Sequence, residues 1–357
     1  MPPWRASTRS ARPTDVNPST LSRSKGRTTI VDAMKVLVSD QDYTDLNLER
    51  AVFDAAGIEM VMGAGAVTED ALIEAGRGCS AILLQYAPIT ARVLDALPEV
   101  GLVARIGAGY DTIDTDACAA RGVWVANSPD YGVGEVATHA LAMALSLIRH
   151  LPFYDRDVKA GNWHFESAGK VRRCSDMTLG IVGLGRIGKR MAHVSRNLFK
   201  RVIACDPYII DGDFPAFVER ASLDQLFAQS DVVSLHTLLN SETRGMIDAR
   251  LLGLMRPGGY LVNTSRGAVV NVPDLVAAVQ GGRLDGVGLD VMPEEPVAAD
   301  HPLALHPRVV LTPHAAFYSI EAERDLRRKS AQNIATWART GRPDYVVVRG
   351  TRRPPGI

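Results

Sequence analysis

From Met34 onward, short apolar runs alternate with segments of helical period. Residues 35–39 (KVLVS), 81–84 and 102–105 read as buried strands, and residues 45–56 and 68–76 read as the helices between them. That βαβ alternation predicts a parallel sheet with helices on both faces. A longer helical stretch, 134 to about 150, is apolar on most faces, as expected of a helix buried in the core or packed on a partner subunit. A second alternating series begins at Thr178, with strands expected at 178–184 (TLGIVGL), 202–206, 232–236, 260–264, 286–291 and 308–312. Pro257-Gly258-Gly259 and Gly281-Gly282 punctuate the turns. The spacing follows no short fixed repeat, which excludes a solenoid. The expected fold class is α/β, with two doubly wound parallel-sheet units.

Residues 1–33 break this pattern. They hold six basic residues against two acids, with Ser, Thr and Pro filling most of the remainder, and are expected to be disordered. Pro2, Pro3, Pro13 and Pro18 oppose the amphipathic helix of a transit peptide. Met34 is therefore the expected natural start, and residues 346–357 are expected to form a loose tail. Composition narrows the class further. Over 357 residues, 40 basic side chains balance 40 acidic ones, which argues against a nucleic-acid or anionic-membrane binder. The longest apolar run, 140–148, falls far short of a membrane span. Four cysteines without CxxC spacing fit a reducing cytoplasm and give no basis for a structural zinc site.

The strand 178–184 leads directly into Gly183-Leu184-Gly185-Arg186-Ile187-Gly188, and a helix follows. In GxGxxG the first glycine permits the tight turn, the second admits a pyrophosphate to the backbone, and the third lets helix and strand pack closely. The helix N-terminus offers free N–H groups to phosphate. The next strand ends in Asp206, where a carboxylate can accept both adenosine ribose hydroxyls and repel a 2′-phosphate. Pro207 and Tyr208 follow, with no Arg placed to welcome that phosphate, so NAD is expected over NADP.

Ligands of open parallel sheets bind beyond the carboxyl ends of the strands. Arg266 follows the strand 260–264, Glu295 lies four residues beyond 286–291, and His314 follows 308–312. Singly, each has a bland reading: a surface Arg, a solvated acid in a Pro-rich loop, a structural His. Together they place a guanidinium, a carboxylate and an imidazole beside a bound dinucleotide. His301 and His306 lack a third metal ligand and read as a surface turn. Arg324, Arg327, Arg328 and Lys329 are interleaved with acids and read as a solvated face. No G-x-S-x-G or HExxH occurs, which removes support for serine-hydrolase and zincin chemistry.

The stretches RIGAGYDTID (105–114), TLGIVGLGRIG (178–188), CDPY (205–208), LVNTSRGAVV (261–270), GVGLDVMPEEP (286–296) and TPHAAFYS (312–319) resemble the D-isomer-specific 2-hydroxyacid dehydrogenases, most nearly the C-terminal-binding-protein (CtBP) branch. The resemblance implies a flavodoxin-like substrate domain at 34–131, completed by 316–345, and a Rossmann NAD-binding domain at 132–315. It makes Arg266, Glu295 and His314 the catalytic residues. Expected cofactor contacts are Gly183, Gly185, Arg186, Ile187, Gly188, Asp206, Thr237, Asn240, Thr243, Thr264, Ser265 and Asp290, the last meeting the nicotinamide amide. Expected substrate contacts are Gln85, Tyr86, Ile106, Gly107, Ala108, Gly109 and Phe317. A homodimer through the helix near 134–150 is implied, with no nucleic-acid, membrane or metal partner. The chain departs from the family pattern at Thr138, Asp176, Leu238 and Asn271, none within the catalytic trio. No appended regulatory domain like that of longer phosphoglycerate dehydrogenases is expected. Two functions follow: an NAD-dependent dehydrogenase of a small D-2-hydroxy acid, with hydroxypyruvate, glyoxylate, lactate and 3-phosphoglycerate open as substrates, or an NAD(H)-sensing scaffold of corepressor type.

Overall fold

A computed structural model describes residues 34–356 of the chain. The expectations for residues 1–33 and for a start at Met34 concern positions outside or at the edge of that range. Five strands, β1 (Lys35–Val38), β2 (Glu59–Met62), β3 (Ala81–Leu84), β4 (Leu102–Arg105) and β5 (Trp124–Ala126), form a parallel sheet in the order β2-β1-β3-β4-β5. Seven more, β6 (Thr178–Val182), β7 (Arg201–Cys205), β8 (Val218–Arg220), β9 (Val232–Leu235), β10 (Gly259–Asn263), β11 (Leu284–Leu289) and β12 (Val309–Leu311), form a second parallel sheet, β8-β7-β6-β9-β10-β11-β12. A last strand, β13 (Val346–Val348), pairs antiparallel with β5 and closes that edge of the first sheet. The first order is that of flavodoxin-like folds and the second is the doubly wound Rossmann order.

Burial explains which strands the hydrophobic pattern reveals. Every residue of β3, β6, β9 and β10 is buried, because helices cover both faces of each sheet and leave no polar alternation. Strands β2 and β8 lie at sheet edges and expose polar side chains, while β5 and β13 are three residues long. Their signal is correspondingly weak.

Two helices tie the site together. Val133–Ile148 buries Val136, Ala137, Ala140, Met143, Ala144, Leu147 and Ile148, a stripe at three- and four-residue spacing that packs on the second sheet. Ile320–Thr340 starts at a Ser319 cap, returns to the first sheet and sinks Trp337 beneath it. Arg327, expected on a solvated face, is instead buried. Its Nε and Nη2 donate to Glu49 at 2.8 and 2.9 Å, and Nη2 also donates to the Asp45 carbonyl at 2.7 Å. A charge run seen in sequence cannot show which member points inward. The tail also differs from expectation. After β13 pairs, Arg352 donates to the carbonyls of Arg121 (2.9 Å) and Val100 (2.8 Å), and its own carbonyl accepts from Trp124 Nε1. These bonds dock a segment whose Arg-Pro composition looks unstructured. Among the described residues, no single helix is long and apolar enough to cross a membrane.

Candidate active site

The glycine loop joins β6 to the Arg186–Ser195 helix, with Gly185 at the N-cap. Gly183 has φ of 88°, and a Cβ there would lie 2.7 Å from the His236 carbonyl. A Cβ on Gly188 would lie 2.0 Å from the Gly183 carbonyl, so strand and helix approach too closely for any side chain. Gly185 faces open space, where a phosphate would approach. Asp206 follows β7 directly, and its Oδ2 accepts the Leu184 N–H at 2.7 Å, tying the acid to the glycine loop itself. Arg220 donates to the carbonyls of Asp206 (3.4 Å) and Ile209 and lies over the Phe214 ring. A cation therefore does border Asp206. It arrives from β8, which adjacency in sequence could not reveal.

One cleft of about 920 Å³ opens at the carboxyl ends of both sheets. Arg266, Glu295 and His314 all line it. His314 Nδ1 lies 2.8 Å from Glu295 Oε2, and Glu295 Oε1 accepts the Met292 N–H at 2.9 Å. Partial burial works to raise the Glu295 carboxyl, but these bonds prevail and hold it below its ordinary range. A carboxylate there fixes the ring with Nδ1–H donating, which leaves Nε2 for a ligand. His314 itself is left-handed, with φ of 53°.

Arg266 Nε donates to Asp111 at 2.9 Å and Nη1 to the Ser265 carbonyl at 2.8 Å. Nη2 lies where a Cβ on Gly109 would sit, only 1.6 Å from that position. Arg105, at the end of β4, repeats the arrangement: its Nη1 lies 1.1 Å from the Cβ position of Gly107, whose φ is 148°. Both glycines are thus cradles for guanidinium groups, a role beyond exposing backbone N–H groups. Arg105 and Asp111 are site residues that the motif reading passed over. The available signal was a charged residue ending an apolar strand, just before paired glycines. Arg105 makes no ion pair or side-chain hydrogen bond among the described residues, and burial together with the nearby Arg266 charge lowers its pKa.

Of the other expected residues, Ile187, Thr237, Asn240, Thr264, Ser265, Asp290, Gln85, Tyr86, Ile106, Ala108 and Phe317 line the cleft. Gln85 Nε2 and Tyr86 Oη both donate to Asp42 at its rim, and burial with that carboxylate pushes the Tyr86 phenol up to about 12. Arg186 begins the helix after the glycine loop. Thr243 is not brought to the cleft: its hydroxyl donates to the Leu238 carbonyl at 2.6 Å and its N–H to Asn240, closing a local turn. His301 and His306 accept the N–H groups of Leu303 and Arg308, which accounts for both as local caps.

Comparison with known proteins adds the family. A family model described as "D-isomer specific 2-hydroxyacid dehydrogenase, NAD binding domain" matches residues 141–316. A glyoxylate reductase from Korarchaeum cryptofilum is 36% identical over 294 residues, covering 80% of this chain and 88% of that protein. The chain belongs to the D-isomer-specific 2-hydroxyacid dehydrogenase family. A D-3-phosphoglycerate dehydrogenase from Mycobacterium tuberculosis is 37% identical over 256 residues, covering 71% of this chain and 48% of that protein. The chain thus spans about half the length of that relative. Among solved structures, the D-lactate dehydrogenase of Aquifex aeolicus in complex with NAD and lactic acid superposes with a TM-score of 0.78 at 28% identity, covering 89% of this chain and all of that one.

The residues present fit the family's dinucleotide. Thr237 Oγ1, Thr264 Oγ1 and His236 Nδ1 are buried with no hydrogen-bond partner among the described residues, and all three residues line the cleft. Buried polar atoms left unpaired are costly, and a bound cofactor would satisfy them. Burial pushes the His236 imidazole down to about 4, so it stays neutral beside that space. Two of the four departures from the family pattern, Asn271 and Thr138, have local explanations. Asn271 caps the Val272–Gln280 helix by accepting the Asp274 N–H, as an Asp would. Thr138 bonds back to the Gly134 carbonyl on an exposed helix face.

Proposed function

We propose that the protein is an NAD-dependent dehydrogenase that interconverts a small D-2-hydroxy acid and its 2-oxo acid. The reading rests on the convergence of Arg266 and the His314–Glu295 pair in the cleft that Ile187 of the glycine-loop motif also lines. Residues 132–315 would hold the dinucleotide, and 34–131 with 316–345 would close over the substrate. When bound, the nicotinamide supplies or accepts the hydride. In reduction, negative charge grows on the C2 oxygen, and His314 Nε2 donates a proton to it; in oxidation the same atom removes the hydroxyl proton. Glu295 orients the ring through its bond to Nδ1. Arg266, steadied by Asp111, presents Nη2 to the substrate carboxylate. Arg105 adds a second cation, which favours anionic 2-oxo acids and is itself relieved by them. The other cofactor contacts are Asp206 toward the ribose, Gly185 and the Arg186 helix toward phosphate, and Thr237, Asn240, Thr264 and Ser265 along the cleft. Asp206 favours NAD over NADP.

Hydroxypyruvate, glyoxylate and 3-phosphohydroxypyruvate are the candidate substrates. A CtBP-type scaffold role draws only on the sequence resemblance, whereas the relatives described above are dehydrogenases and reductases by name. A homodimer is supported by the exposed apolar side chains that follow the Val133–Ile148 helix, chiefly Trp163 (87% exposed) and Phe165 (78% exposed). We assign the protein to the cytoplasm on its cysteine usage.

The deciding experiment is NADH oxidation against these acids and pyruvate, with NADPH in parallel and His314→Asn and Arg266→Ala as controls. Turnover that both substitutions abolish, with NADH binding retained, is expected. Tight NADH binding without turnover on any acid would favour the scaffold.

A further inference from the structure

Asp290, at the end of β11, spends its carboxylate on the loop that carries His314. Its Oδ1 accepts the Thr312 hydroxyl at 2.6 Å and the Ala315 N–H at 2.8 Å, and its Oδ2 accepts the Ala316 N–H at 3.0 Å. Its carbonyl accepts the His314 N–H at 2.8 Å. These bonds surround a histidine in the left-handed region, a conformation that persists only where neighbours over-determine it. Thr312 has one hydroxyl proton, and Asp290 receives it. His139 Nε2, 3.0 Å from the same oxygen, must therefore be the donor in that contact, and it also lies 3.8 Å from Asp290 Oδ1. Four residues earlier on the same helix, Glu135 accepts the Ser319 hydroxyl at 3.1 Å. Positions i and i+4 share a helix face. One face of Val133–Ile148 therefore grips the segment 312–319 at both ends.

We propose that His139 is a positioning residue for the acid–base step: through Thr312 and Asp290 it holds the loop that aims His314 at the substrate. The proposal rests on His314 being the proton donor, and it makes Asp290 an organiser of that loop in addition to any contact with nicotinamide.

The test uses the full-length protein with His139→Phe, His139→Gln, Thr312→Val and Thr312→Ser. Phe and Val remove the donor and the hydroxyl; Gln and Ser keep them. Displacement of a reacting group by about 1 Å can cost up to about a hundredfold, so Phe and Val should lower kcat by about 10–100-fold, while Gln and Ser stay within about threefold of the parent and NADH affinity stays within about twofold throughout. A misaimed acid makes proton transfer slower, so the solvent deuterium effect on kcat should rise in the Phe and Val variants. Simple loss of folded enzyme would leave that effect unchanged, and this result would overturn the proposal. An unchanged kcat in both the Phe and Val variants, or an equal loss of NADH affinity, would overturn it as well. Turnover that survives His314→Asn would sink the acid–base assignment itself; collapse in His314→Asn with full activity in His139→Phe would sink only the inference about His139.

Discussion

Gly109→Ala isolates the role of Arg266 without touching a charged residue. The backbone there is not left-handed, so alanine fits the chain. The added Cβ would lie 1.6 Å from Arg266 Nη2, whereas ordinary contact begins at 3.4 Å. The guanidinium must therefore retreat by 3.4 − 1.6, or 1.8 Å. A misplacement of about 1 Å can cost about a hundredfold in rate, equivalent to about 2.7 kcal/mol of transition-state stabilisation. The clash involves the far end of a flexible side chain, so thermal stability should barely change. The assay is kcat/KM for the preferred 2-oxo acid, followed by loss of NADH absorbance, with NADH affinity measured separately by fluorescence. We expect kcat/KM to fall by about a hundredfold at constant NADH affinity, and the double variant with Arg266→Ala to be no worse than Arg266→Ala alone, since both would act through one group. Full additivity, or turnover near that of the parent, would refute the idea that Gly109 exists to seat this guanidinium.

Arg105→Met should raise KM for the 2-oxo acid by at least about tenfold with a smaller effect on kcat, because the lost cation is a binding group remote from proton transfer; an unchanged KM would remove Arg105 from the substrate site. Asp206→Ala should raise the NADPH-to-NADH ratio of kcat/KM by about tenfold or more, since it removes a carboxylate that repels the 2′-phosphate while Arg220 stays nearby. A ratio that does not move would show that selectivity lies elsewhere. Glu295 supplies a pH signature. Its folded-state pKa lies below the ordinary 4.5, so the stability it contributes is present above that value and is lost as pH falls through the depressed one. The gap in thermal midpoint between the parent and Glu295→Gln should shrink on acidification below about pH 4.5, and a gap that widens there would contradict the assignment.

Both parallel sheets were legible in the sequence because their central strands are buried on two faces and appear as unbroken apolar runs. The glycine loop, Asp206 and the Arg266, Glu295 and His314 set were legible for a different reason: each lies just past such a strand, where turn residues and polar groups interrupt the apolar pattern. Pairings between distant segments left no comparable mark. Asp111 supports Arg266 across 155 positions, and Glu49 reaches Arg327 across 278. Neither acid differs in sequence from the solvated acids around it. Arg220 reaches Asp206 only because β8 runs parallel to β7, and β8 was itself hidden by its polar, edge-strand composition.

The two cradled arginines show how local and global information combine. Gly107 and Gly109 read from sequence as a turn with open N–H groups, a sufficient account of two glycines after a strand. The fold adds that Arg105 and Arg266 come from different sheets and that each guanidinium passes over one glycine. Any larger residue at either position would displace a cation, so Gly109 is set by a side chain 157 positions away. Asp111 then neutralises Arg266 but leaves Arg105 without an ion pair among the described residues. A half-buried cation without an ion pair carries a desolvation penalty that an anionic ligand removes. Substrate affinity and the cost of holding Arg105 in the cleft are therefore two measures of one interaction. Arg105→Met should accordingly stabilise the substrate-free protein while weakening its hold on the 2-oxo acid; a variant that loses both stability and affinity would show that Arg105 holds the fold rather than the ligand.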